Sequence, residues 1–475
     1  MRSTLICTSV RARVLRVLAI AATALAVAAS AGMPRNAAAA LPLGNTVAQW
    51  NKIAEDTVVA SGAFQAEGFI YMAYVSAAVY DAVIAIEGGL EPYGPAMAAP
   101  EGASVDAAVV EAAYRTLWAY FPPSSCNPAS TLYMSCLQLR SSLDASYAAA
   151  LSAIPPGKPQ TDGRAVGLQA ANDIIALRGG DGRMTPIGVS TPFRTLPPGP
   201  GVWRLTPPFA VPQLPWAGNV RPFVVQSTEQ FLPDPPPSLQ SNEWVEAFNQ
   251  IKAYGAATSS ARNQDQTKVA RFWSANVVRQ YNRAGRDLAD ARGLSLLERA
   301  QLTAMINVVG ADALMSALRA KYHYLFWRPV TAIDPSAVTA DGFGPVPGYD
   351  DGNPATVEQT GWRPLLTTPN HPEHPAAHGV ITSAMTEVFS TFLGTNQIEL
   401  DIRGFDPDLP VVDPDLPAGN LNATRHYDMA NDLRHEIIAA RLWAGLHYHF
   451  SGVAGVVLGR KVAEFDLRHA FKSVD

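Results

Sequence analysis

Residues 371–380 read HPEHPAAHGV, a stretch that holds three of the chain's nine histidines beside two prolines. Imidazoles titrate near neutral pH and ligate metals, so such a loop suits a metal nest or proton transfer, or forms a polar surface turn. After it, VITSAMTEVFSTFLG reads as a helix. Free amides at the start of that helix make a ready anion site, with His378 beside it. Two other segments supply cations. In KYHYLFWRP, Lys321 and Arg328 are seven apart and, if the stretch is one helix, share a face to within about 20°. Tyr322, Tyr324, Leu325, Phe326 and Trp327 surround them with bulk, which suggests a lined pocket rather than a solvated surface. In ARLWAGLHYHFSG, Arg441 and His447 sit in what reads as one strongly apolar helix. A buried arginine there needs a partner, and an anion supplies one.

Most of the chain that must position these groups reads as helix. FIYMAYVSAAVYDAVIAI and SVDAAVVEAAYRTLWAYF are Ala-rich and apolar on more than one face, as inside a bundle. AVGLQAANDIIALRGG closes on glycines. Ser295 and Glu298 form a capping box at the start of the long apolar-striped stretch that runs to Arg328, where Pro329 is expected to stop the helix. HEIIAARLWAGLHYHF and GVVLGRKVAEFDLRHAF give a final helical pair. No alternating strand-and-hairpin pattern competes, and GFDPDLPVVDPDLPAGNLNATRHY reads as a loop near the pocket mouth. Residues 185–241 are dense in proline with recurring Trp and Phe, which predicts an ordered crossover lying on the protein. The expected fold is all-α: an N-terminal bundle over 41–184, the crossover over 185–241, and a C-terminal bundle over 242–475 that carries the site.

The chain has 475 residues, 48% of them hydrophobic and 16% charged, which fits a well-buried globular protein. A net charge of −5 gives no basic footprint for nucleic acid or an anionic membrane. Residues 1–40 have the layout of a secretory signal peptide, with arginines before VLAIAATALAVAA and small-residue cleavage candidates after it. No later stretch is expected to reach the length of a membrane helix, so the mature protein is expected to be exported without stable membrane association. In an oxidising compartment Cys126 and Cys136 would form one local disulfide.

Taken in order, K-x6-R-P, P-x-x-H and A-R-x5-H resemble the signature of the type 2 phosphatidic acid phosphatase and vanadium-dependent haloperoxidase superfamily. That signature runs K-x6-R-P, P-S-G-H and S-R-x5-H-x3-D. KYHYLFWRPVTAI, LTTPNHPEHPAAHG, ARLWAGLHYHFSGVAGVVLGRKV and the early AAVYDAVIAI extend the likeness, toward the exported haloperoxidase-like branch. The resemblance implies a vanadate cofactor held by Lys321, Arg328, Arg441 and the amide of Ala377, with His447 as the vanadium ligand and His378 as the general acid–base. It implies hydrogen peroxide and a halide or small organic molecule as substrates, with Lys321 polarising the peroxide. The alternative within the same superfamily is an exported acid phosphatase, a phosphomonoesterase in which His447 is the nucleophile. Ala376 stands where the family usually has serine, and Ser451 where it often has aspartate four after the histidine; Ser451 is expected to hydrogen-bond the ring from the same helical face. His371 lies where bromide-type members tend to have histidine and is a candidate for tuning halide choice. A zinc hydrolase built on His371, His374 and His378 is a competing reading, but no helical H-E-x-x-H is present and the prolines disfavour one ligand face.

Overall fold

The structure, a computed structural model, describes residues 45–121, 133–183, 196–206 apart from 198, 211–336, 350–406, 408 and 422–474. The expected signal peptide and Cys126 lie outside these residues, and the side chain of Cys136 is not described, so the expected disulfide falls outside them too.

The first half of the chain supplies α1 (Thr46–Ala60), α2 (Gln65–Glu87), α3 (Val105–Tyr120), α4 (Tyr133–Ala153) and α5 (Lys158–Leu177). After the proline-rich segment come α6 (Asn242–Tyr254), α7 (Gln264–Phe272), α8 (Val277–Ala291), α9 (Leu296–Tyr324) and the short α10 (Pro329–Ile333). The C-terminal part adds α11 (Ala377–Leu393), the strands β1 (Gln397–Gly404) and β2 (Ala423–Met429), then α12 (Ala430–Trp443) and α13 (His449–His469). Residues 42–475 form one compact unit, and helices from both halves share one apolar core that runs from Val47 to Phe471.

The central helix is α9, opened by the predicted box: the Ser295 side chain accepts from the Glu298 amide while Glu298 accepts from that of Ser295. It packs along α2 on one side and α11 on the other. Both α2 and α9 are long and apolar enough to cross a bilayer, contrary to the expectation that no later stretch would be; 89% of each apolar window is buried inside the protein instead. Helices α11 and α13 cross at backbone contact. A Cβ on Gly459 would collide with the Val380 carbonyl oxygen, and one on Gly455 with that of Ala376. This close crossing fixes the start of α11 against the start of α13.

Three local expectations need correction. A two-stranded antiparallel hairpin is present, pairing Leu400 with Tyr427 and Arg403 with Thr424. Its first strand, QIELDIRG, alternates buried and exposed residues, and part of the stretch read as loop is β2. Helix α9 stops at Tyr324 rather than near Arg328, because Leu325 turns into the left-handed region (φ 52°). The next residues pair with the crossover instead: the Trp203 amide donates to the Leu325 carbonyl, and that of Trp327 to Gly201. Lastly, Arg441 and His447 do not share a helix. Helix α12 ends at Trp443, Gly445 takes φ 77° in space closed by the Gly255 carbonyl, and α13 starts only at His449.

Candidate functional site

Each candidate group sits at the end of a helix or in a short link between two. Lys321 lies in the last turn of α9, with its Nζ donating to the carbonyls of Pro372 and Glu373, each at 2.9 Å. Arg328 is the residue before α10, fully buried. Its guanidinium donates to the carbonyls of His371 and Leu446, both at 2.9 Å, and also meets Nε2 of His447 at 3.1 Å and Nδ1 of His371 at 3.0 Å. Arg328 therefore joins the histidine-rich loop to the α12–α13 link. Lys321 and Arg328 come together through the turn at Leu325, not through a shared helical face.

Arg441, in the last turn of α12, donates to the Trp273 carbonyl at 3.1 Å, and its Nε has no protein partner. His378, in the first turn of α11, also bonds the Trp273 carbonyl, and its Nε2 is buried and without a partner. One carbonyl in the α7–α8 link thus orients both groups. Ala376 precedes α11 and supplies no side-chain cap, so the first-turn amides, that of Ala377 among them, keep no capping acceptor from it. The Ala376 amide donates to the Ser451 carbonyl (3.0 Å), tying α11 to α13.

The residue missed in the sequence is Glu373. Its Oε1 lies 2.9 Å from Nδ1 of His447 and accepts from the Tyr448 amide at 3.1 Å. Ser451, expected to bond the ring, instead makes a long 3.5 Å contact from its Oγ to the Glu373 carbonyl. The carboxylate that fixes the imidazole comes from the proline-rich loop. With Nδ1–H held by Glu373, Nε2 keeps its lone pair toward the Arg328 guanidinium. The available signal was modest: Glu373 is the one acid within HPEHPAAHGV, flanked by prolines that hold it in place.

His371, His378, Ala377, Arg441 and His447 line a common cavity of about 330 Å³. Lys321 and Arg328 stand behind this wall. His374 does not join them: its Nε2 meets the Asp234 carbonyl at 3.0 Å and its ring packs on Tyr324 and Phe450, bordering a different cavity. His371, His374 and His378 are therefore not one metal-ligand set. His323 and His449 are exposed. Behind the site, Trp244, Trp327, Phe326 and Tyr448 form an aromatic cluster that backs both Arg328 and the His447 link.

The electrostatics call for a negative charge. Burial, with Arg328 and Arg441 nearby, holds the Lys321 amine well below its ordinary range. Burial and then Arg328 lower Arg441 to about 9. The imidazoles of His371, His378 and His447 are all pushed well down, by burial first and the surrounding cations second. Glu373 is raised by burial to about 7, with Lys321 and Arg328 pulling it back down. Three cations and three imidazoles thus face a single carboxylate. The Arg441 Nε–H donor and the His378 Nε2, both buried without a protein partner, complete a strongly electropositive cavity wall.

The family model for the VCPO second helical-bundle domain matches residues 301–475, which hold all of these groups. A curated relative, the vanadium chloroperoxidase of Curvularia inaequalis, is 26% identical over 303 residues, covering 52% of this chain. The chain spans about half (47%) of that relative's length. Two solved structures share the fold. A bacterial vanadium-dependent iodoperoxidase superposes with a TM-score of 0.67 at 21% identity, over 91% of this chain and 97% of that one. A bacterial vanadium-dependent chloroperoxidase in its holo form gives a TM-score of 0.60 at 14% identity, over 91% and 95%. The chain is thus similar to the vanadium-dependent haloperoxidases in fold and over the domain of residues 301–475, and the three motifs come together within that fold.

Proposed function

We propose that the protein is a vanadium-dependent haloperoxidase that oxidises halide with hydrogen peroxide. The observation that carries this reading is an imidazole lone pair, fixed by Glu373, set among three buried basic side chains, Lys321, Arg328 and Arg441, that outnumber the one carboxylate beside them. Vanadate at this site would supply a Lewis-acid centre that activates peroxide without changing oxidation state. His447 would be its protein ligand through Nε2, with the tautomer set by Glu373. Lys321, Arg328, Arg441 and the Ala377 amide would stabilise the oxyanion's negative oxygens. His378, whose free Nε2 belongs to the cavity wall, would move the proton that peroxide must gain or lose. His371, held by Arg328 and packed edge-on to Phe64, would tune which halide is accepted.

The same residues suit phosphomonoester hydrolysis, with His447 Nε2 as the nucleophile on phosphorus. Peroxide-dependent bromide oxidation, assayed with and without added vanadate beside p-nitrophenyl phosphate hydrolysis, separates the two. Vanadate-dependent bromination supports the haloperoxidase; phosphate release that vanadate inhibits, with no bromination, supports the phosphatase. Export through residues 1–40, with a Cys126–Cys136 bridge, belongs to this proposal. It is checked by the intact mass of the protein recovered outside the cytoplasm, before and after reduction.

A further inference from the structure

His374, which takes no part in the oxyanion site, borders a second cavity of about 510 Å³ that shares no lining residue with the first. Three segments build it. Along α6, Glu243, Glu246, Ala247 and Gln250 fall at helical spacing and so share one face. Along α13, Phe450, Val453, Ala454 and Val457 do the same, with Lys461 one turn beyond. The proline-rich run 232–237 forms the remaining side.

The lining is acidic and apolar at once. Asp234, Glu243 and Glu246 are exposed and none forms an ion pair among the described residues, so three carboxylates stand against the single Lys461. Val453 and Val457, on successive turns of α13, are 41% and 43% exposed, an apolar stripe left open beside those charges. His374 adds a buried acceptor. Its Nε2 meets the Asp234 carbonyl, which can only accept, so the ring carries its proton there and Nδ1 keeps a lone pair. Burial keeps the imidazole neutral by lowering its pKa to about 4. Nδ1 is buried without a protein partner, and an N–H from a ligand would satisfy it.

These features select the occupant. An anion would meet three carboxylates, and a neutral molecule would leave them unpaired. A bare metal ion is disfavoured too, because among the described residues no three of these groups bring their ligand atoms within reach of one ion. The volume falls within the roughly 300–1,000 Å³ of small-molecule sites. We propose that this groove binds an organic amine, its ammonium set against Asp234, Glu243 and Glu246 and its apolar body lying on Val453, Val457 and Phe450. The assignment does not depend on which reaction the oxyanion site performs.

2-Phenylethylammonium is the probe, with 2-phenylethanol as its neutral match and 3-phenylpropionate as its anionic one. Each is added to the full-length, vanadate-free protein and followed by ligand-observed NMR. The ammonium should bind about tenfold more tightly than the alcohol and the carboxylate should not bind, with the preference shrinking as salt is raised. The double variant Glu243→Gln with Glu246→Gln removes two of the charges, and Val453→Lys sets a cation in the groove. Both act at exposed positions, so thermal unfolding should be unchanged while ammonium binding weakens about fivefold or more. Vanadate should not displace the probe, since the two cavities have no wall residue in common. An ammonium that binds no better than the alcohol, binding that survives both variants, or displacement by vanadate overturns the proposal. A lysine-rich peptide that binds far more tightly than the amine, and is lost in the same variants, would assign the groove to a protein segment and overturn the small-molecule reading.

Discussion

Glu373 and His447 face one another across 2.9 Å in the protein interior, and neither is on a helix. The carboxylate oxygen meets Nδ1 and leaves Nε2 for the reacting centre. Glu373→Gln should keep the loop in place while removing the charge that holds the tautomer. The expected outcome is a loss of roughly 10–100-fold in vanadate affinity. Titration of the purified variant against wild type checks it, with thermal unfolding as the control for fold. Ser451→Ala should change the affinity far less, since Ser451 does not reach the ring.

His378 and His447 are predicted to fail differently. His447→Ala removes the ligand, so vanadate binding and turnover are lost together. His378→Ala removes only a proton carrier: turnover should fall about 100-fold or more while vanadate still binds within a few-fold of wild type. Measuring binding and rate on both variants decides the assignment. Equal loss of binding in both would make His378 part of the anion clamp instead.

Proton linkage gives a signed prediction. Burial first, and the neighbouring cations second, hold Lys321 and the imidazoles of His371, His378 and His447 below their ordinary pKa values. A bound anion favours their protonated forms and raises those values, so binding takes up protons. Affinity should therefore rise as pH falls below the ordinary lysine range and through the ordinary histidine range. Sulfate, which does not titrate there, is the clean probe. Calorimetry in two buffers of different ionisation enthalpy should show net proton uptake; proton release would contradict the electrostatic account.

The crossing of α11 and α13 carries the site's geometry. Gly459→Ala would force a methyl group against the Val380 carbonyl and push the helices apart. Destabilisation of about 1–3 kcal/mol is expected in urea unfolding, with weakened vanadate binding because the start of α11 moves relative to His447. Gly62→Ala, in a turn with open space at the Cβ position, is the control: it strains the backbone (φ 82°) but leaves vanadate binding intact.

Much of the fold and site was legible because it depends on local signals. Apolar periodicity marked α2, α3 and α9, and the capping box at Ser295 opened α9 where expected. Residue types and order pointed to Lys321, Arg328, His378, Arg441 and His447. What failed was geometry that tertiary contacts decide. Leu325 takes a left-handed turn because the crossover backbone at Gly201 and Trp203 pairs with the chain there. Gly445 breaks the last helical pair because α6's end presses on it at Gly255. Glu373 was passed over because helical spacing drew attention to Ser451, whereas the carboxylate reaches the ring from a loop 74 residues away in sequence.

The central claim is that these dispersed groups hold one oxyanion at His447, and a crystal structure of the vanadate-soaked protein with anomalous data at the vanadium edge tests it most directly. The account predicts a single strong vanadium peak beside Nε2 of His447, with Lys321, Arg328 and Arg441 turned to its oxygens and Glu373 still on Nδ1. A peak elsewhere, or a site at His447 holding stoichiometric zinc and no vanadium, would contradict it.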